Sequence, residues 1–396
     1  FQEMMMRSAL LLAAAASASA LHLGGAPQGG LATAKLQARG TGALLRSAMP
    51  LKVAELEHIK GGAPAAADEK ASPLKLMLLI LGWYIGNTAY NVYNKKACAL
   101  IHAHWTVAFA QLVVGVVWTL FLWVPGIRKT PILSMADIKS LAPIGLFAAS
   151  AHGGSVLAMG AGAVSFAQIV KAAEPVYVAL LCLLVPPVEV KSALAYAMLM
   201  VIVGGVGLAC VKEGKGVDIN MMAFGWASFA NLAAALKGKL GKDVSHHLKS
   251  LVATNNMSVA NTYAVMNMLS AAWTLIVVIL AEGSTLKAEW AHATAKVAGS
   301  EIIKNVVLSG FFFYLYNELA FLFLAEVGPV TSSVMNTAKR VIVIIACAII
   351  FGEKMDRNAK LGAAVAVGGV FLYSLAEEAD KKAKAAAAKV KVAAKY

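Results

Sequence analysis

The stretch that decides the fold reads Gly-Ala-Val-Ser-Phe-Ala-Gln-Ile-Val-Lys at residues 162–171 and reaches Val-Gly-Gly-Val at 203–206 after an apolar run. A matching stretch reads Gly-Pro-Val-Thr-Ser from residue 328, continues to Lys339 with one gap, and reaches Val-Gly-Gly-Val at 367–370. Chance similarity is the alternative for apolar segments, but a lysine after the same small-residue motif favours a true repeat. The chain is therefore predicted to consist of two similar halves.

Apolar runs of membrane length surround both stretches. Of the 396 residues, 59% are hydrophobic and only 14% are charged, and the mean hydropathy is +0.70. A soluble domain carries about 25% charged residues, so this composition disfavours a soluble protein. The runs, of about 20 residues each as a bilayer requires, lie near 74–94, 104–124, 140–161, 164–186, 191–211, 219–240, 259–281, 302–325, 328–351 and 359–376.

These runs are predicted to be helices, because lipid offers no partner for an unpaired backbone amide. Two halves with five helices each must insert with opposite topologies, the plan of secondary transporters. The predicted fold is an all-α membrane protein of about ten transmembrane helices in two inverted five-helix repeats. Trp83, Tyr84, Trp105 and Trp123 fall near run ends, which predicts interfacial anchors.

Four segments are predicted along the chain. Residues 1–20 have the form of a signal peptide. Residues 21–72 combine a basic stretch without acidic residues from 21 to 54, which is the composition of an organelle transit peptide, with a polar linker from Glu55. Together they predict a plastid wrapped by extra membranes; the alternative is a secretory leader with a disordered linker. Residues 73–376 form the ten-helix domain. The Lys/Ala-rich tail, 377–396, is either a solvated helix or lies on anionic lipid.

Three charged residues interrupt the apolar runs at bilayer depth. Lys171 lies within the fourth run, and Lys339 and Arg340 lie within the ninth. An ionisable side chain at this depth costs about 2.5–3.5 kcal/mol, which makes it a functional candidate. The alternatives are snorkelling to the interface or pairing with Glu174 and Glu318.

Three buried cations with one nearby acid are expected to bind an anion from outside the protein. A phosphate dianion fits, since an arginine fork grips two oxygens and lysines act as point charges on the others. Nucleotide-binding loops, hydrolase motifs and CxxC spacing are absent from the sequence. The expected partners are phosphate compounds and the lipid bilayer, without nucleic acid, metal or cofactor.

Other polar residues in the runs carry weaker signals. His152 and Ser155 share one face of the third helix by their spacing, where packing is an equal alternative. Tyr316 offers a phenol in the eighth run, although an aromatic there is more often packing. Lys95 and Lys96 end the first run, where snorkelling is the favoured interpretation. Pro175 is expected to bend the fourth helix beside Glu174.

With these residues in place, the sequence resembles the plastid phosphate translocators of the triose-phosphate/phosphate type, within the drug/metabolite transporter superfamily. The resemblance covers about residues 74–376. Its motifs are W-Y-x-x-N-x-x-Y-N-x-x-N-K-K at 83–96, A-V-S-F-A-Q-I-V-K-A-A-E-P at 163–175, L-Y-N-E at 315–318 and N-T-A-K-R at 336–340.

The resemblance implies a ten-helix antiporter in which Lys171, Lys339 and Arg340 hold the phosphate. It places Ser155 at a position where the family has threonine, so that the hydroxyl is retained. It places His152 and Tyr316 among the substrate-binding residues. One departure concerns the sixth helix, where the family carries S-F-x-Y-R and then S-K-K but this chain has alanines at 233–235. In the family, an aromatic residue of this helix would pack on the carbon chain of the substrate, and alanine replaces it here. This difference bears on substrate specificity.

The expected function is exchange of inorganic phosphate for phosphorylated C3 compounds, namely triose phosphate and 3-phosphoglycerate, across a plastid envelope membrane. One alternative is a plastid antiporter for another sugar phosphate or phosphoenolpyruvate. A second is a nucleotide-sugar carrier of the secretory pathway. A third, a membrane enzyme acting on phosphorylated lipid with His152 as acid and base, lacks an evident nucleophile.

Overall fold

The computed structural model describes residues 72–185, 190–212, 216, 217, 219–244, 251 and 255–393. The predicted signal and transit sequences, up to residue 71, lie outside these residues. Helices form most of the described chain. The rest is loops and one antiparallel pair of two-residue strands, β1 (Val211–Lys212) and β2 (Gly216–Val217). The helices are α1 (Pro73–Leu100), α2 (His104–Trp123), α3 (Met135–Ala161), α4 (Val164–Lys171), α5 (Glu174–Leu184), α6 (Ala193–Ala209), α7 (Met221–Asp243), α8 (Val259–Ala281), α9 (Leu286–Thr294), α10 (Gly299–Ile350) and α11 (Arg357–Ala393).

Seven helical segments of the described chain are long and apolar enough to cross a membrane. They are His104–Trp123, Met135–Ala161, Val164–Leu184, Val259–Ala281, Gly299–Val327, Thr331–Ile350 and Arg357–Lys384. Helix α6 is apolar but shorter, and α1 and α7 cover the two remaining predicted runs. The fold is thus an all-α membrane bundle, while the count of ten spans and their inverted repeat stay predictions.

Two helices differ from the predicted runs. The fourth run is broken by a turn at Ala172 and Ala173, and α5 begins immediately before Pro175, which matches the expected bend. In contrast, helical backbone continues from Gly299 to Ile350, where two separate helices were predicted. The two apolar segments of this helix, Gly299–Val327 and Thr331–Ile350, correspond to the two predicted runs.

Two glutamates cap the starts of helices in the same manner. The carboxylate of Glu282, just after α8, accepts hydrogen bonds from the backbone N–H groups of Trp105 and Thr106 at 2.9 and 2.8 Å. The Glu353 carboxylate, just after α10, accepts from Val164 and Ser165 at 2.8 and 3.1 Å. Each carboxylate satisfies N–H groups that a helix start leaves unpaired and complements the positive end of the helix dipole.

The predicted interfacial anchors Trp83 and Tyr84 are instead buried, with 3% and 6% of their surface exposed. The Tyr84 hydroxyl donates to the Met335 carbonyl at 2.6 Å, and the Trp83 ring packs on Phe323. Neither residue is near a helix end: both lie in the middle of the predicted run 74–94 and of α1, so the prediction of interfacial anchors was wrong for them.

Glycines allow α6 and α11 to pack at close range. A Cβ placed on Gly205 would lie 2.4 Å from the Ala366 nitrogen, and one on Gly362 would lie 2.5 Å from the Ala209 nitrogen. The neighbouring Gly204 has open space at the same position. The first Val-Gly-Gly-Val motif therefore presents one glycine to the partner helix, in the manner of small residues at membrane helix contacts.

We expect Gly205→Ala to destabilise the protein by about 1–3 kcal/mol, because the added methyl group meets backbone atoms that cannot move aside. Gly204→Ala is the matched control and should be neutral or slightly stabilising, since alanine is the better helix former. Thermal unfolding of both variants in detergent measures the difference. Equal unfolding temperatures would show that the contact between α6 and α11 is not this tight.

The Lys/Ala-rich tail continues α11 as helix as far as Ala393. Near its start, Lys191 pairs with Glu377 at 2.9 Å, and the Asp380 carboxylate accepts from the Ser192 backbone at 2.9 Å. The Lys384 ammonium donates to the Val190 carbonyl at 3.2 Å. The first turns of the tail are therefore held by the segment before α6.

Candidate functional site

One cavity of about 280 Å³ lies inside the bundle and collects every site residue predicted from the sequence. The lining comes from α1, α2, α3, α4, α5, α7, α8 and α10. The predicted residues in the lining are His152, Ser155, Lys171, Tyr316, Lys339 and Arg340. Residues far apart in the sequence are thus brought to one place by helix packing.

Lys171 and Ser155 form one side of the cavity. The Lys171 ammonium donates to the Ser155 hydroxyl oxygen at 2.6 Å, and that hydroxyl donates to the Ala151 carbonyl, also at 2.6 Å. Lys171 is the last residue of α4, where the helix dipole favours a positive charge. The Asn231 amide donates to the Val170 carbonyl at 2.9 Å and so holds this helix end in place.

Arg340 and Lys339, although adjacent, have different surroundings. The Arg340 guanidinium, 8% exposed, donates to Glu174 at 3.1 Å. The Lys339 ammonium has no acidic partner among the described residues; it lies 5.2 Å from the centre of a Trp83 ring and 5.6 Å from that of Tyr316. Aromatic faces stabilise a cation without neutralising it. The Lys339 ammonium is therefore not neutralised by a carboxylate of the described residues and faces a ligand in the cavity.

Glu174 and Glu318, the two acids that the sequence offered as partners of the buried cations, bind different groups. Glu174 forms an ion pair with Arg340 and not with Lys171, which is three residues away in the sequence. Glu318 lies outside the cavity lining and binds Arg128 through two hydrogen bonds of 3.1 and 2.5 Å. Within the described residues, the buried lysines of the cavity are thus not neutralised by Glu318.

Lys237 is a cavity residue that was not among the predicted site residues. It lies on α7, and its ammonium group makes no hydrogen bond among the described residues, although it interacts electrostatically with Glu174 and Lys171. The signal was present, because Lys237 interrupts the sixth apolar run in the same way as the residues that were chosen.

The charges lining the cavity are strongly unbalanced. Lys171, Lys237, Lys339 and Arg340 are positive, and Glu174 is the one acidic side chain among the described lining residues. Three positive charges remain without compensation. Because burying an unpaired charge is costly, this arrangement favours binding of a multiply charged anion.

Aromatic rings and buried amides form the rest of the lining. The His152 ring centre lies 3.9 Å from that of Phe313, and Tyr316 packs on Tyr90 at 5.5 Å. Neither His152 ring nitrogen has a hydrogen-bond partner of normal geometry among the described residues. His152 and Tyr316 are therefore placed where they can contact the organic part of a bound anion.

Lys95 is structural rather than a residue that snorkels to the interface. Its ammonium donates to the carbonyls of Met159 and Gly162 at 2.8 and 2.6 Å, and so caps the C-terminal end of α3. The prediction missed this role because the end of α3 lies more than 60 residues away in the sequence.

An all-α membrane bundle around a buried, cationic cavity is the architecture of a membrane carrier for small anions. Comparison with known proteins gives a more specific result: a model of the Triose-phosphate Transporter family matches residues 74–374, and the chain belongs to this family. It is a multi-pass transporter of the plastid envelope membrane.

Curated relatives support the same assignment. The chain is 32% identical over 322 residues to a chloroplastic xylulose 5-phosphate/phosphate translocator of Arabidopsis thaliana, covering 81% of this chain and 75% of the relative. It is 32% identical over 330 residues to glucose-6-phosphate/phosphate translocator 1 of the same plant, covering 81% and 80%. A triose phosphate/phosphate translocator of Zea mays is 29% identical over 358 residues, covering 87% and 84%.

Proposed function

We propose that this protein exchanges inorganic phosphate for phosphorylated C3 metabolites, triose phosphate and 3-phosphoglycerate, across a plastid envelope membrane. The observation that carries the proposal is the cavity with three uncompensated positive charges. The relatives, which are named as phosphate translocators for different sugar phosphates, support phosphate as the shared part of the cargo.

The phosphate group is assigned to Lys171, Lys339, Arg340 and Ser155. Arg340 offers a planar fork for two oxygens, although Glu174 occupies part of it in this structure. Lys339, which has no acidic partner among the described residues, supplies a compact charge. The Ser155 hydroxyl lies beside Lys171 and would supply a neutral donor by rotating away from the Ala151 carbonyl, to which it donates in this structure.

The organic part of the cargo is assigned to the aromatic side of the cavity, with His152 and Tyr316 as binding residues. A volume of about 280 Å³ falls just below the range of about 300–1,000 Å³ common for small-molecule pockets. This size suits a C3 phosphate better than a nucleotide sugar. The secretory nucleotide-sugar alternative is therefore not preferred.

A second candidate cargo is a larger plastid sugar phosphate. Helix α7 lines the cavity with the small residues Ala230 and Ala234. The resemblance described above leads us to expect an aromatic side chain where this chain has alanines at 233–235, and the smaller side chains leave room for a longer carbon chain. The proposed phosphate-binding residues are the same for either cargo.

Obligatory exchange follows from the charge of the empty site. Each buried cation costs about 2.5–3.5 kcal/mol at the bilayer centre, and a bound dianion offsets most of the three uncompensated charges. The loaded carrier can therefore change conformation, whereas the empty carrier stalls. A phosphate brought in must be replaced by another anion before the carrier returns.

The conformational change is proposed to be rocking of two inverted five-helix halves about the site. Ten spans are supported by helices over all ten predicted runs, and the inverted repeat by the matching sequence stretches at 162–206 and 328–370. The break between α4 and α5, beside Lys171 and Glu174, supplies a place to bend. Rocking would then expose the phosphate site to each side in turn.

The test is uptake of labelled phosphate into liposomes that contain the purified protein. The liposomes are preloaded with buffer, phosphate, dihydroxyacetone phosphate, 3-phosphoglycerate, phosphoenolpyruvate, glucose 6-phosphate or a nucleotide sugar. We expect uptake only against internal phosphate and C3 phosphates. Preference for glucose 6-phosphate would favour the larger cargo, and uptake into buffer-loaded liposomes at the full rate would contradict counter-exchange.

A further inference from the structure

A second concave site lies on the outer face of the bundle, between the last part of α10 and the start of α11. This crevice has a volume of about 720 Å³ and is lined mainly by aliphatic side chains, those of Val341, Ile344, Ile345, Ala348, Ile349 and Val367 among them. Ile345 and Ile349 are about half exposed. The crevice follows α10 for nine residues, which corresponds to about 12 Å of helix.

Small residues create the crevice. Ala348 on α10 faces Ala363 and Ala364 on α11, where longer side chains would fill the space. In a membrane-spanning bundle such an outward-facing apolar surface is in contact with lipid rather than water. The concave shape is suited to an acyl chain lying along the helices.

Two lysines mark one end of the crevice. Lys354, in the loop after α10, and Lys360, in the first turns of α11, both line it and are exposed. Neither ammonium group forms a hydrogen bond or an ion pair within the part of the chain that the structure describes. Both ammonium groups are therefore available to a ligand at the loop end of the crevice.

The acidic groups nearby are directed elsewhere. Glu353 caps α4 through the backbone N–H groups of Val164 and Ser165. The Asp356 carboxylate accepts from the Ala359 backbone at 2.7 Å and caps the start of α11. Glu353 lines the crevice and keeps its negative charge, but its oxygens are occupied by the N–H groups of α4, so neither carboxylate pairs with Lys354 or Lys360 through these contacts.

We propose that this crevice, formed by α10, α11, Lys354 and Lys360, is a binding site for an anionic glycerolipid with a phosphodiester headgroup. One acyl chain lies between α10 and α11, and the headgroup binds both ammonium groups. Basic groups beside an apolar space between membrane helices have the chemistry that recognises anionic lipid headgroups. The site is separate from the central cavity, with which it shares no residue.

The experiment is native mass spectrometry of the full chain in detergent with equal amounts of phosphatidylglycerol and phosphatidylcholine of identical acyl chains. We expect the wild-type protein to retain phosphatidylglycerol preferentially. Lys354→Gln and Lys360→Gln should each reduce this preference by about fivefold, the effect of one basic residue near an anionic headgroup. Equal retention of both lipids by the wild-type protein would overturn the proposal.

Two further variants separate the headgroup from the acyl chain. Ala364→Trp fills the crevice from an exposed position and should lower retention of both lipids, whereas the lysine variants affect only phosphatidylglycerol. Lys287→Gln with Lys296→Gln removes two other exposed lysines outside the crevice and should change nothing. An equal loss in this control would show that general surface charge, not the crevice, selects the lipid.

A second copy of the chain is the competing occupant of the crevice. If the spectra show a dimer that Ala364→Trp dissociates, with no preference for either lipid, the crevice is a subunit interface and the lipid proposal is wrong. Retention of one lipid per monomer, lost in Ala364→Trp, supports the proposal.

Discussion

Lys339→Met is expected to abolish most phosphate exchange without lowering the stability of the protein. Lys339 lines the cavity, has no acidic partner among the described residues and is held by the rings of Trp83 and Tyr316. Loss of one charged partner of a buried anion costs about 2–5 kcal/mol, so exchange should fall at least about thirtyfold. Methionine keeps a similar shape and removes an uncompensated buried charge, which stabilises the fold.

The two measurements are expected to differ: phosphate exchange falls, whereas the stability of the protein does not. Phosphate exchange is measured in liposomes at subsaturating phosphate, and thermal unfolding is measured in detergent on the same preparation. Lys304→Met is the matched control, since Lys304 is exposed on the same helix. Normal exchange by Lys339→Met would remove Lys339 from the phosphate site, and a large loss of stability would make its role structural.

Lys237→Gln is expected to uncouple the exchange. This substitution leaves two rather than three uncompensated charges in the cavity. The free-energy cost of the conformational change of the empty carrier is therefore lower. One charge accounts for about 2.5–3.5 kcal/mol at most, and even half of this would increase net uptake into buffer-loaded liposomes about tenfold. Homo-exchange of phosphate should fall less, because the proposed phosphate-binding residues remain.

The control for this variant lies two residues further along α7. The Lys239 ammonium donates to the Val185 carbonyl and is outside the cavity lining, so Lys239→Gln should remain strictly coupled. The ratio of uptake into buffer-loaded and phosphate-loaded liposomes measures the coupling. If Lys237→Gln keeps the wild-type ratio, the charge of the empty site does not enforce exchange, and another gate must be sought.

The buried charges show how far the sequence determines the site. Lys171, Lys339 and Arg340 stand out because each interrupts an apolar run, and the insertion cost of a charge is a property of its own helix. The same argument applies to Lys237, which the sequence analysis passed over. The structure places all four around one cavity.

The partners of these charges depend on tertiary structure. Arg340 meets Glu174 across 166 residues of sequence, and Arg128 meets Glu318 across 190. The residues nearest in sequence, Lys171 and Glu174, are separated by the turn between α4 and α5 and bind different groups. Which partner each charged residue binds depends on how the helices pack, and the hydropathy pattern of the sequence does not predict this packing.

By itself, the sequence determined that this is an all-α membrane protein, where its long apolar helices lie, and which charged residues lie at bilayer depth. These conclusions follow from the transfer of backbone and side chains into lipid, which is decided segment by segment. Only the tertiary structure decided that Trp83 supports Lys339, that Glu282 and Glu353 cap distant helices, and that Lys95 holds the end of α3. Each of these contacts needs two helices in a particular register, which arises when the bundle packs.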